Sequence, residues 1–290
     1  MFYKNFLKIN FPYIYFGLFF TILLINLYQL GGEFISSFFS NGSYNFYLPY
    51  INALSQIGFI LVPVIIISNY NPLGRQELLR LKFHLDTKDL VIALLGLFGF
   101  ELIATSWAVI KQAIIPEFFK KDYIELIRKP EELYLKLLGG QNIIDAIRAL
   151  IIGAIIPAIS EELLFRGLLQ RSLEEKLKPS IAITLSGVIF SVIHFIPTNI
   201  VPLFIIGIFL GLVAYVTKSI MLPIILHFLN NAISIIGIYL IKQEETSVTN
   251  INQETIIFAI VFLFLGLGLI ALSCIRLYKN HKINLHSNIQ

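Results

Sequence analysis

An all-α, polytopic membrane protein is the fold class this sequence predicts, and three observations predict it. The first is composition: of 290 residues, 57% are hydrophobic and 14% charged, against roughly 45–50% and about 25% in soluble domains. Mean hydropathy is +0.79. A water-facing domain of this length cannot hide that much apolar surface in one core. The second is the recurrence of apolar runs near the 20 or so residues that a helix needs to cross the hydrocarbon core. The third is the sorting of Lys and Arg between alternate loops, so the net charge of +4 is not a basic patch for nucleic acid. A soluble globular enzyme and a nucleic-acid-binding module are both excluded. Cys274 is the single cysteine, which rules out an internal disulfide, a Cys-rich zinc site and an iron–sulfur cluster. Its place in the last apolar run makes it a poor nucleophile.

Eight runs qualify as spans. In order they are Phe11–Leu30, Tyr50–Ser68, Leu90–Ile110, Ile143–Phe165, Ser180–Ile196, Val201–Thr217, Ile220–Ile241 and Thr255–Ile275. The first follows Lys4 and Lys8 but lacks a small-residue cleavage site, so it reads as an uncleaved anchor. The fifth and sixth are short and meet at Phe195-Ile-Pro-Thr-Asn-Ile-Val-Pro202, a joint that can turn inside the membrane where it lines a cavity. With the N-terminus inside, 14 Lys and Arg fall on the inner side and 8 on the outer, so both termini are expected to be cytoplasmic. Six of the outer eight lie between Lys111 and Lys136, among acidic residues, as in a solvated amphipathic loop. Arg148 can snorkel to the outer interface. No internal repeat, low-complexity tract or linker is visible. A composition break near Gln141 separates a loosely attached N-terminal three-span region, 1–142, with its outer loop over 111–142, from a compact five-span region, 143–290.

Charge at mid-membrane costs several kcal/mol, so every ionisable or strongly polar residue there is a candidate for function. Glu101, in the third run, has no patterned neighbour and reads as a structural or cavity-lining group. The remaining residues form three patterns. In Ser160-Glu-Glu-Leu-Leu-Phe-Arg-Gly167, Glu162 and Arg166 are four apart on one helix face and can pair. Glu161 points about 100° away and is free to act as a base; otherwise the two acids simply mark a helix end at the interface. Phe190-Ser-Val-Ile-His194 sets an aromatic one turn before a histidine, a pattern also met in packing residues. Pro179 disfavours helix at Lys178 and suits a new first turn, so the chain reverses there. An antiparallel pair folded at that point brings Glu161 and His194 to one height. In His227-Phe-Leu-Asn-Asn231, His227 and Asn231 share a face, whereas Asn230 points elsewhere. That pair suits either a developing oxyanion or interhelical hydrogen bonding.

Taken in order on successive apolar helices, Glu-Glu-x-x-x-Arg at 161–166, Phe-x-x-x-His at 190–194 and His-x-x-x-Asn at 227–231 resemble the CPBP family. This is the family of CAAX prenyl proteases and bacteriocin-processing enzymes, also called Abi. The resemblance covers roughly Ile143 to Tyr239; the first 140 residues carry none. It implies a CAAX-protease-like helical bundle of about eight spans that hydrolyses a peptide bond within the membrane. By position, Glu161 would be the general base, His194 its partner and His227 with Asn231 the oxyanion donors; Glu162 and Arg166 would be the supporting pair. The implied substrates are prenylated CAAX-type or bacteriocin-like peptides and lipidated proteins. Two cofactor readings stay open: Glu161, His194 and His227 can hold Zn²⁺ with a position left for water, and they can equally work without metal. Other intramembrane hydrolase motifs are absent. There is no His-Glu-x-x-His, no Gly-x-Gly-Asp and no Gly-x-Ser-Gly, since Ser186-Gly187 follows Thr184-Leu185.

The competing reading keeps the fold without catalysis, as a membrane scaffold or bacteriocin-immunity protein. A proton or cation relay is a third, though the paired broken helices of a transporter repeat are missing. The expected setting is the lipid bilayer of a bacterial plasma membrane. The basic residues between Arg166 and Lys178 suggest a catalytic opening on the cytoplasmic side, and no nucleic-acid partner is expected.

Overall fold

The computed structural model describes residues 13–38, 44–82, 85–119, 125–126, 132–240 and 251–287. Lys4, Lys8, Lys120, Lys121, Arg128, Lys129 and Lys242, which entered the charge sorting, lie outside the described residues, as does most of the outer loop between 120 and 131. Eight principal helices follow one another among the described residues: α1 (Tyr13–Ser37), α2 (Tyr47–Ser68), α3 (Thr87–Ile114), α4 (Ile143–Glu174), α5 (Pro179–Val192), α6 (Ile200–Thr217), α7 (Met221–Leu240) and α8 (Gln253–Ser287). By length and composition, seven of these can cross a membrane, which makes the chain an integral membrane protein. The exception is α5. Its 14 residues rise only about 21 Å at 1.5 Å each, short of a hydrocarbon core about 30 Å thick. The expected span Ser180–Ile196 is thus cut back at Val192.

Local chemistry sets the boundaries. The Asp86 carboxylate accepts from the Lys88 backbone N–H at 2.7 Å and starts α3. Asn142 Oδ1 accepts from Ile144 N at 2.9 Å and Asp145 N at 3.0 Å, starting α4. Pro179 opens α5 after an extended Lys178, ψ 140°, where the sequence places the reversal. Phe195 (φ 51°) and Lys218 (φ 54°) are left-handed and turn the chain after α5 and α6.

In lipid, helices associate through close packing more than through water exclusion. The contact of α3 with α8 shows this. They run antiparallel, joined by Ser273 Oγ donating to Ile92 O at 2.8 Å and by His281 Nε2 against Asp89 Oδ2 at 2.7 Å. A Cβ on Gly266 would stand 2.4 Å from the Gly99 carbonyl, so the backbones touch only because both positions are glycine. One apolar core draws on both halves of the chain: Phe16 and Leu24 of α1, Val64 of α2, Leu97 of α3, Phe165 of α4, Phe209 of α6 and Leu277 of α8. The regions on both sides of the composition break near Gln141 contribute to this core. A helical turn over 132–138 docks through Leu138 against Ile152 and Ile235. Arg148 donates to Gly139 O at 3.0 Å there.

Candidate active site

Two prolines shape the helices that carry the site. Pro157 has no N–H to give the Gly153 carbonyl four residues back, and α4 widens over Ile151–Ile155. Asn231 Nδ2 of α7 donates to that carbonyl at 3.2 Å. Pro63 accompanies a similar widened turn over Ile57–Leu61, just after Gln56 of α2. A third, Leu163–Leu169, begins directly after Glu162. Such i→i−5 turns recur at functional sites because they re-aim neighbouring side chains.

The two adjacent glutamates part company, as their helical angle requires. Glu162 is fully buried; its Oε1 lies 2.9 Å from Arg166 Nη1 and 2.8 Å from His227 Nδ1. The Arg166 guanidinium, 1% exposed, also donates to Gly207 O at 3.3 Å and sits 4.6 Å from the Phe190 ring centroid. Glu161 points into a cavity of about 260 Å³. There Gln56 Nε2 donates to its Oε1 at 3.0 Å. Its Oε2 lies 3.9 Å from His194 Nε2 and 4.0 Å from His227 Nε2.

Both imidazoles are turned by their other nitrogen. His194 Nδ1 donates to Phe190 O at 2.6 Å and His227 Nδ1 to Glu162, so each Nε2 faces Glu161. Phe190 packs against both rings, with centroids 4.8 Å from His194 and 6.0 Å from His227. The sequence spacing therefore levels Glu161 with His194 as expected. His194 itself lies in the turn beyond α5 rather than inside a span.

Asn231 and Asn230 depart from expectation. One amide hydrogen of Asn231 is engaged by Gly153 O, and Asn230 Nδ2 donates to Asn231 Oδ1 at 3.1 Å. Asn230 thus orients Asn231 instead of pointing away. Glu101 stays outside the group, with a buried Oε1 that has no hydrogen-bond partner.

Gln56 and Tyr28 were missed. Gln56 is 4% exposed and its Oε1 has no hydrogen-bond partner. Tyr28 lines the same cavity and donates to Asn52 Oδ1 at 2.6 Å. A carboxamide inside the second apolar run was the available signal; a search for ionisable groups and local spacings passes over it.

The space around Glu161 continues into a larger cavity of about 770 Å³ that shares Tyr28 and Gln29 and extends to Gly32, Glu33, Leu48 and Leu133. This direction leads towards the C-terminal end of α1 and the start of α2. It is opposite to the basic stretch near Arg171, beside which the opening was expected.

Zinc is a poor fit to the three donors as placed. At zinc–ligand lengths of about 2.0–2.1 Å, two tetrahedral ligands stand roughly 3.3–3.5 Å apart, closer than the 3.9 and 4.0 Å measured from Glu161. Among the described residues no group of three His, Cys, Asp or Glu is placed to hold a metal ion. The gaps are too long for direct hydrogen bonds and suit one bridging water.

Residues 144–233 match the family model described as Rce1-like, type II CAAX prenyl endopeptidase. No curated protein and no solved structure matches the chain. The matched segment runs from the start of α4 into α7 and holds all three motifs; Tyr28 and Gln56 lie outside it. Through residues 144–233, the segment that builds the buried pair and both histidines, the chain is similar to the Rce1-like, type II CAAX prenyl endopeptidase family.

Proposed function

We propose that this protein is an intramembrane endopeptidase of the CAAX prenyl endopeptidase type, which hydrolyses a peptide bond with a water held by Glu161, His194 and His227. The observation that carries the reading is the near-equal spacing of the two Nε2 atoms from Glu161 Oε2, 3.9 and 4.0 Å, within a cavity. A water there donates one proton to Glu161 and the other to His194 Nε2, leaving an oxygen lone pair for the substrate carbonyl. As the C–O bond forms, Glu161 takes the first proton. The carbonyl oxygen becomes an oxyanion, which His227 Nε2–H and the remaining Asn231 N–H stabilise. Collapse of the adduct breaks the C–N bond, and Glu161 passes its proton to the departing amine.

To donate from Nε2 while Nδ1 donates to Glu162, His227 must carry both protons during this step. Glu162, itself held by Arg166, supplies the compensating charge. Gln56 fixes the rotamer of Glu161 from the opposite side. The reaction is drawn with water alone, because a zinc reading needs the donors to draw together by about half an ångström.

The 770 Å³ cavity joined at Tyr28 and Gln29 supports entry of an apolar, membrane-associated chain, and prenylated CAAX-type or bacteriocin-like peptides are the proposed substrates. Both termini are taken as cytoplasmic, which puts this entrance towards the outer end. The test is cleavage of prenylated and unprenylated CAAX-type peptides by the purified chain in lipid nanodiscs. Wild-type protein should cleave, and Glu161→Gln should be inactive while folding normally. Unchanged turnover by Glu161→Gln removes the assignment, and a cellular phenotype that survives that substitution favours a scaffold.

A further inference from the structure

We propose that a second cavity, at the end of the bundle away from the catalytic opening, binds a phosphate-bearing anion supplied by a lipid headgroup. The cavity measures about 860 Å³, and Arg75, Arg80, Lys82, Arg171 and Lys218 line it. Only two carboxylates, Glu77 and Glu174, share the wall, and both are already engaged. Arg80, 3% exposed, meets Glu174 Oε2 at 2.6 Å and donates to Ala214 O at 2.6 Å and Arg166 O at 3.3 Å. Arg171 meets Glu77 Oε1 at 2.6 Å and also pairs with Glu175. Arg75, Lys82 and Lys218 are left without a carboxylate partner among the described residues. Lys218 Nζ lies 3.8 Å from the Tyr215 ring centroid. Burial pushes this ammonium below the usual lysine range, with Arg80 and Arg171 adding to the push and Glu174 opposing it. A bound anion would relieve that repulsion.

The backbone of this wall is also unusual. Gly74 (φ 77°), Arg80 (φ 52°) and Lys218 (φ 54°) are three of the four left-handed residues found among the described positions, and all three line this cavity. Two of them carry side chains, for which the conformation is costly and persists only when surrounding contacts enforce it. Those contacts are present. Ile220 N donates to Arg80 O at 3.1 Å, and Ser219 Oγ donates to Lys82 O at 2.8 Å. The loop carrying Arg80 and Lys82 is thereby stitched to the loop carrying Lys218, so the cations are presented from a fixed frame.

Phosphate is the anion this wall suits, because it offers several acceptor oxygens to separate cations and pairs well with guanidinium. The cavity lies at helix ends, where headgroups sit, and a separate groove between α3 and α8 carries Lys88 and Arg276. Basic pockets between spans are a recurrent way of holding anionic headgroups.

The test uses the full chain in mild detergent, titrated with phosphatidylglycerol or phosphatidylcholine and read by native mass spectrometry. Phosphatidylglycerol should bind at least tenfold more tightly, because choline cancels the phosphate charge. The triple variant Arg75→Gln/Lys82→Gln/Lys218→Gln should lose that preference, and Lys82→Arg should keep it. If the triple variant does not fold, Lys218→Gln alone should reduce the preference severalfold. Equal binding of the two lipids by wild type, or an undiminished preference in a folded variant, overturns the proposal. A third arm adds inorganic phosphate at matching concentration. No displacement assigns the site to lipid, whereas full displacement assigns it to a soluble phosphate compound and overturns the lipid source.

Discussion

Replacing either of two adjacent glutamates by glutamine makes the same chemical change one residue apart, and the structure requires opposite outcomes. Glu162 is fully buried and holds Arg166 at 2.9 Å, with the guanidinium 1% exposed. Glu162→Gln therefore leaves a buried cation without its countercharge, which costs about 3–5 kcal/mol when a buried pair loses one partner. The Gly207 carbonyl and the Phe190 ring that remain around Arg166 favour the lower part of that range. Among the described residues Glu161 has no lysine or arginine within ion-pair distance; its one direct hydrogen bond comes from Gln56 at 3.0 Å, and a glutamine carbonyl still accepts it. Glu161→Gln should change stability by no more than about 1 kcal/mol, yet loss of a general base should lower kcat by roughly 10²–10⁴. Reversible unfolding in mixed micelles, with peptide cleavage measured on the same preparations, separates the two effects. Equal stability losses, or a Glu161→Gln protein with undiminished turnover, would refute the division of labour between the neighbours.

Gln56→Leu should lower kcat about tenfold, the equivalent of one hydrogen bond of about 1.4 kcal/mol, with KM unchanged in steady-state assays of the folded variant. Asn231→Ala should cost about 10²–10³ in kcat, whereas Asn230→Ala, which removes only the contact to Asn231 Oδ1, should cost under about tenfold in the same assay. Gly266→Leu forces apart two backbones that touch at Gly99. It should destabilise by about 1–3 kcal/mol in thermal unfolding while the folded fraction keeps its specific activity. Exhaustive chelation followed by metal analysis should leave turnover unchanged, and activity restored only by added zinc would reverse the water-only reading.

The number and rough extent of the helices were legible in the sequence because a bilayer of fixed thickness demands long apolar runs. Local spacing carried further, since i,i+4 geometry is the same wherever a helix lies. Glu162 finds Arg166, and the reversal at Pro179 levels Glu161 with His194. Those inferences needed no knowledge of which helices are neighbours. Gln56, by contrast, reaches Glu161 across 105 positions of chain, a juxtaposition that no periodicity encodes. The same holds for Asn231 on the Gly153 carbonyl, for Glu162 turning His227, and for Arg80 against Ala214. The direction in which the cavity beside Glu161 opens belongs with them, because it depends on which faces of α1 and α2 lie against α4. Residue pattern prescribes what each helix must bury, and helix-on-helix packing selects the partner, so the chemical groups could be nominated from the chain while their meeting point came from the bundle.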